Sequence, residues 1–125
     1  MTTSTMPPMI RVLPVERESI GLVRLPDGVI DLEHSEIRHD DGQRDPLSVR
    51  ESELLRYLTA NADRPVSRDE ILEQVWHLNP LRLITRTIDM HVANLRGKLH
   101  DNSGPPKVLR TIRGKGYMFV TQRRE

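Results

Sequence analysis

The apolar positions change their spacing along the chain. From Gly21 to Leu47, short runs (Leu22-Val-Arg-Leu25, Val29-Ile-Asp-Leu32, Glu36-Ile-Arg-His39) are separated by Pro26-Asp-Gly28 and Asp40-Asp-Gly-Gln43. Alternation interrupted by turn formers predicts three or four short antiparallel strands. So small a sheet cannot stand alone and has to pack on the next part of the chain. The spacing then lengthens. Ser48-Val-Arg-Glu51 reads as a capping box opening a helix whose apolar residues are Leu54, Leu55 and Leu58, ending near Asn61. A second such box, Ser67-Arg-Asp-Glu70, comes after Pro65 and opens a helix through Ile71, Leu72, Val75 and Trp76. Asn79-Pro80 breaks the pattern, because the residue before proline is pushed out of the helical region.

A third helix is expected from about Ile84 to His100, with Ile88, Val92, Leu95 and Leu99 facing the core. Its opposite side then displays Arg86, Met90, Ala93 and Gly97, flanked by Thr87 and Asn94. Glycine inside a helix costs about 1 kcal/mol relative to alanine. A low helix surface with polar and basic residues around it suits close approach to a nucleic-acid groove; the plain alternative is an ordinary solvated face. Beyond Asn102 to Pro106, Val108 to Ile112 and Tyr117 to Val120 read as two strands around the basic tip Arg113-Gly-Lys-Gly116. The predicted fold is α+β, a winged helix-turn-helix with an N-terminal antiparallel platform, three helices and a C-terminal β-hairpin wing.

Charge sharpens this picture only when it is divided along the chain. The whole carries +1, but residues 1–46 hold five Arg against nine Asp and Glu, and Arg82 to Arg124 hold ten Lys and Arg against Asp89 and Asp101 alone. A +8 segment with almost no acidic relief suggests a polyanion partner. Asp89 is expected to hold a neighbouring arginine or to cap local structure rather than to read a base, since phosphates repel a carboxylate. The chain has no cysteine, and its five histidines (His34, His39, His77, His91, His100) show no close ligand spacing, so no metal or cofactor is expected. No stretch approaches the ~20 apolar residues of a membrane span, and a soluble, cytoplasmic protein is expected. Residues 1–19 read as a flexible leader or linker remnant. Residues 20–122 read as one domain: platform 20–47, helices 48–100 and wing 107–121.

Three pieces of the sequence carry a resemblance. Leu47-Ser-Val-Arg-Glu51 with Leu54-Leu55, and Pro65 to Leu72 with Val75-Trp76, resemble the first two helices of the OmpR/PhoB effector domain. Arg86-Thr-Ile-Asp-Met-His-Val92 with Leu95-Arg96 and Lys98-Leu99 resembles that family's recognition helix, and Thr111-Ile-Arg-Gly-Lys-Gly-Tyr117 its wing. The resemblance implies double-stranded DNA as partner, with the third helix in the major groove and the wing at the neighbouring minor groove. It implies that Thr87, His91 and Asn94 face bases or backbone, that Arg86 and Arg96 meet phosphates, and that Thr111 and Arg113 contact sugar, phosphate or minor groove. Met90 and Lys98 on the helix and Lys115 on the wing tip complete the candidate set. The loop Leu78-Asn79-Pro80-Leu81-Arg82 corresponds to one that meets RNA polymerase.

Two departures from the family pattern stand out. Ala93, Asn94 and Gly97 make the recognition face less basic than is usual, and only some 20 residues precede the platform where a receiver domain usually stands. Either a stand-alone effector without a receiver or a piece of a longer regulator is therefore expected, monomeric in solution and pairing in tandem on direct repeats. The competing function is a winged-helix protein-interaction module that docks on polymerase or another regulator. No enzyme is expected, because no nucleophile with a base, paired carboxylates or phosphate loop occurs at useful spacing.

Overall fold

The computed structural model describes residues 21–77 and 86–122, with Arg86 described by its backbone alone. The predicted leader and the loop Leu78 to Arg82 lie outside the described residues. The chain opens with four short strands, β1 (Leu22–Leu25), β2 (Gly28–Asp31), β3 (Glu36–His39) and β4 (Arg44–Pro46), paired in sequence order in one antiparallel sheet. Ile30 lies opposite Ile37, and both are fully buried. The alternation that predicted strands therefore delivers one buried face.

The helices are α1 (Val49–Ala60), a second helix α2 that starts as α (Arg68–Glu70) and continues as a π-turn (Ile71–Val75), and α3 (Arg86–Lys98). The first capping box forms in full: the Glu51 N–H donates to Ser48 Oγ at 3.1 Å and the Ser48 N–H donates to Glu51 Oε1 at 2.9 Å. The second forms only in half. The Glu70 N–H donates to Ser67 Oγ at 3.0 Å, but the Glu70 carboxylate turns to Arg64 and Tyr57 instead of reaching back. The π-turn also departs from the expected α-helix, and its cause is burial. At 3.6 residues per turn Ile71 and Trp76 would point about 140° apart; a Trp76 N–H to Ile71 O bond of 3.2 Å brings them closer to one face, and both are buried.

Ile88, Val92, Leu95 and Leu99 of α3 are buried as expected, packing with Leu54, Leu55 and Leu58 of α1 in one core. The C-terminal hairpin, β5 (Leu109–Ile112) and β6 (Gly116–Phe119), adds Leu109, Tyr117 and Phe119 to that core. It is stitched to the segment before α2, where Val66 and Tyr117 exchange both backbone hydrogen bonds, at 2.7 and 2.9 Å. Among the described residues no helix is long and apolar enough to cross a membrane.

That stitch requires glycine beside it. Gly116 has φ +133°, and a Cβ there would lie 2.0 Å from Val66 O. Gly114 at the tip has φ +77° with open space around it. Gly116→Ala is expected to destabilise by roughly 3 kcal/mol or more, and Gly114→Ala by only the left-handed penalty of about 1–2 kcal/mol. Urea unfolding of the two variants checks this order, and equal losses would refute it.

Candidate nucleic-acid interface

The exposed stripe of α3 consists of Thr87, Met90, Ala93 and Asn94, with Met90 59% exposed. These fall on the side opposite Ile88, Val92 and Leu95, as the helical period requires. Gly97 is half-buried, and a Cβ added there would meet only Asn102 Nδ2, at 3.7 Å. Nothing inside the protein therefore demands glycine at this position. Beside the stripe the hairpin carries Arg110, Thr111, Arg113 and Lys115, all exposed. Its tip closes through a Lys115 N–H to Ile112 O bond of 2.9 Å.

The two acidic residues of the basic segment are both engaged by internal partners, Asp101 in a buried position and Asp89 in a partly exposed one. Asp89 accepts from Arg68 Nε at 2.9 Å and from the Tyr117 hydroxyl. Burial alone would raise its pKa, but the hydrogen bonds from Tyr117 and Arg68, with the Arg68 charge, outweigh that and lower it. Burial likewise raises the pKa of the Tyr117 hydroxyl, and the bond to Asp89 raises it further. Asp101 is buried, and its carboxylate accepts the backbone N–H groups of Lys107, Val108 and Leu109 at 2.9–3.0 Å. Asp101 is thereby kept from the surface, and the charge of Asp89 is offset by the Arg68 guanidinium beside it.

Several candidate residues have internal duties. Arg96 donates through Nε to Leu109 O at 2.9 Å and through Nη2 to Thr111 Oγ1 at 2.8 Å, and its guanidinium lies 5.8 Å from the Tyr117 ring. It is a strut between α3 and the hairpin, and it engages the Thr111 hydroxyl. Lys98 donates to Pro46 O at 2.8 Å and to Glu51 Oε1 at 2.7 Å. Burial of Glu51 would raise its pKa, yet the bonds from Lys98 and the Ser48 backbone lower it, so Lys98 is an anchor to the platform rather than an open cation. His91 packs its ring 5.3 Å from Trp76, at 58°. Its Nδ1–H donates to Thr87 O at 2.8 Å.

The Arg86 side chain and the segment from Leu78 to Arg82 lie outside the described residues. Arg68 and Arg50 were not among the sequence candidates. Arg68 completes the Asp89 cluster with its guanidinium 5.2 Å from the Tyr117 ring, and exposed Arg50 of α1 lies 5.0 Å over the Trp76 ring. Their signal was faint: each sits inside a capping box, where the cap itself accounts for the local pattern.

Over residues 42–119 the chain matches the family described as "Transcriptional regulatory protein, C terminal". A probable transcriptional regulator ycf27 of Galdieria sulphuraria is 37% identical over 100 residues, covering 79% of this chain and 39% of that relative. The chain thus spans about two fifths of the length of such curated relatives. Among solved structures, the DNA-binding domain of Klebsiella pneumoniae RstA in complex with the RstA box superposes with a TM-score of 0.67 at 26% identity, covering 79% of this chain and 96% of that one. The DNA-binding domain of CpxR from E. coli gives 0.64 at 30% identity, covering 80% and 96%.

The lowered Asp89 pKa has a definite consequence for stability. A carboxyl with a depressed folded pKa contributes stability above its unfolded value of 3.8, and that contribution is lost as pH falls through the folded pKa. Asp89→Asn is expected to be less stable than the parent at pH 7, with the gap closing below about pH 4. Denaturant midpoints measured from pH 7 to pH 2.5 check this. A gap that stays constant would show that the charge of Asp89 contributes nothing.

Proposed function

The chain belongs to the family of transcriptional regulatory protein C-terminal domains, and on that premise we propose that it binds double-stranded DNA sequence-specifically and regulates transcription. The observation that carries the reading is the exposed α3 stripe free of carboxylates, set beside a hairpin whose exposed charges are all positive. In this reading α3 enters the major groove with Thr87, Met90, Ala93 and Asn94 leading, and Arg113 and Lys115 meet the neighbouring minor groove and its phosphates. Asn94 has the donor and acceptor to address adenine, and Met90 and Ala93 have the apolar atoms to meet a thymine methyl. Gly97 keeps the helix low near its C-terminal end. Arg86 and His91 serve the backbone on the strength of the sequence resemblance, as do the segment Leu78 to Arg82 as a polymerase contact and a tandem pair on direct repeats. Arg96, Thr111 and Lys98 act chiefly by holding this surface together.

The low charge and exposed Met90 of the α3 face also favour a second reading, a module that docks on another protein. Selection from a random duplex library separates the two. A recurring motif whose preference over a scrambled duplex is salt-sensitive supports the DNA reading; no enrichment, with weak binding to every duplex, moves it to protein docking. Three neutralised phosphates alone imply a loss of roughly 40-fold in affinity between about 50 and 200 mM salt.

Two substitutions divide the labour within the interface. Arg113→Ala is expected to weaken all duplexes alike and to reduce the salt slope by about one. Asn94→Ala is expected to change the preference at one base position by about 1–3 kcal/mol while leaving the slope unchanged. Titrations against the selected duplex and its point variants check both, and the reverse assignment would overturn the roles given to helix and hairpin.

A further inference from the structure

Away from the proposed DNA surface, α3 ends on a residue that its backbone would reserve for glycine. His100 has φ 57°. Its N–H donates to Gly97 O at 3.2 Å and the Asp101 N–H donates to Arg96 O at 2.8 Å, the pair of bonds that closes a helix with a left-handed residue. A side chain in that conformation is a liability. What His100 meets there is a second histidine: its ring stacks on that of His39 with centroids 3.9 Å apart and planes within 6°. His39 ends β3 and is 8% exposed, and its Nε2 lies 2.9 Å from Asp45 Oδ2 in β4. One ligand atom from each of His39, Asp45 and His100 falls within 4.8 Å of the others. His39 and His100 also line an open cleft of about 360 Å³ through which an ion and its waters can enter.

We propose that His39, Asp45 and His100 form a binding site for a divalent transition-metal ion of the zinc type, with water completing its coordination. Two imidazoles and one carboxylate are the donors such an ion takes, whereas calcium and magnesium select oxygen alone. Asp101 also borders the cleft but is no ligand, since its oxygens are occupied by three backbone N–H groups. Ligand atoms about 2.0–2.1 Å from an ion lie roughly 3.3 Å from one another; His39 Nε2 and Asp45 Oδ2 already stand 2.9 Å apart, so the adjustment falls on His100. Parallel rings cannot aim both in-plane lone pairs at one point, so one ring has to turn. Exposed His100 is the one free to do so, while the ion takes the place of the proton shared between His39 Nε2 and Asp45 Oδ2. The bound ion ties the platform to the C-terminal end of α3, a role independent of what the exposed stripe of α3 binds. The sequence concealed the site because its ligands are far apart in the chain and only the packing of α3 on the platform joins them.

The test is thermal unfolding and titration calorimetry of the tag-free chain, stripped with chelator and then given zinc. One equivalent is expected to bind in the micromolar range, raising the melting temperature by roughly 5–10 °C at some tens of times the dissociation constant. Cobalt in place of zinc is expected to give a visible absorption band from the imidazole-bound ion. His100→Gly removes a ligand and relieves the left-handed backbone together. It is expected to melt a few degrees higher than the parent without metal, and to lose both the zinc shift and the cobalt band. His34→Ala, at a histidine outside the site, is expected to keep them. No zinc shift in the parent chain, or an equal shift in His100→Gly, overturns the proposal.

Discussion

A carboxylate in the first turn of a helix, held by an arginine from one neighbouring element and a tyrosine from another, fixes three pieces of chain with a single charge. Asp89 does this for α2, α3 and the hairpin, through Arg68 and the Tyr117 hydroxyl. The position is favourable in itself, since a negative charge at a helix N-terminus interacts well with the unpaired N–H groups there. The same charge left unpaired would be a defect on a surface proposed to meet phosphates, so pairing it with Arg68 solves an electrostatic problem and a packing problem together. Tyr117 can take part because Gly116 lets β6 run against Val66, which brings the ring between Arg68 and Arg96.

The far end of α3 is held as firmly, by different chemistry. Arg96 bridges to the backbone of β5, and Lys98 reaches the glutamate that already closes the capping box of α1. Glu51 is 4% exposed, and a buried carboxylate with a cation and a backbone N–H on one oxygen is a directional lock. With Asp89 at one end and Arg96 and Lys98 at the other, α3 cannot roll about its axis without breaking a charged hydrogen bond. Its exposed stripe is therefore presented at a fixed angle to the hairpin tip.

Much of this was legible in the sequence because period, caps and turns agreed. The α3 core residues Ile88, Val92, Leu95 and Leu99 and the capping box at Ser48 came straight from spacing. β4 gave little signal, since Arg44-Asp45-Pro46 has no apolar residue to alternate and its proline is tolerated at the sheet edge. The π-turn at Ile71 to Val75 was illegible because its cause, the joint burial of Ile71 and Trp76, lies in the core. At the site, spacing found the exposed face of α3 but could not tell an open cation from an engaged one. Arg96 and Lys98 look like phosphate ligands in the sequence, and only their partners, Leu109, Thr111, Pro46 and Glu51, show them holding the surface in place. Long side chains reach across elements, and one-dimensional spacing does not register that reach.

The consequence for the proposed function is a separation of attraction from discrimination. With Arg96 and Lys98 engaged internally, the described exposed cations near α3 include those of the hairpin, Arg110, Arg113 and Lys115, with Lys107 before it and Arg50 at the start of α1. Attraction to a phosphate backbone is nearly blind to sequence, so it falls to these flanking groups. The α3 stripe has no exposed charge in its described part, so in the proposed reading it would contribute little to non-specific binding, and its amide, methyl and thioether groups would distinguish one base edge from another. A wrong base would then cost most of what α3 offers while leaving the hairpin's attraction intact. Such an arrangement keeps a protein close to DNA at modest affinity and makes residence at one site depend on a few short side chains held at a fixed angle.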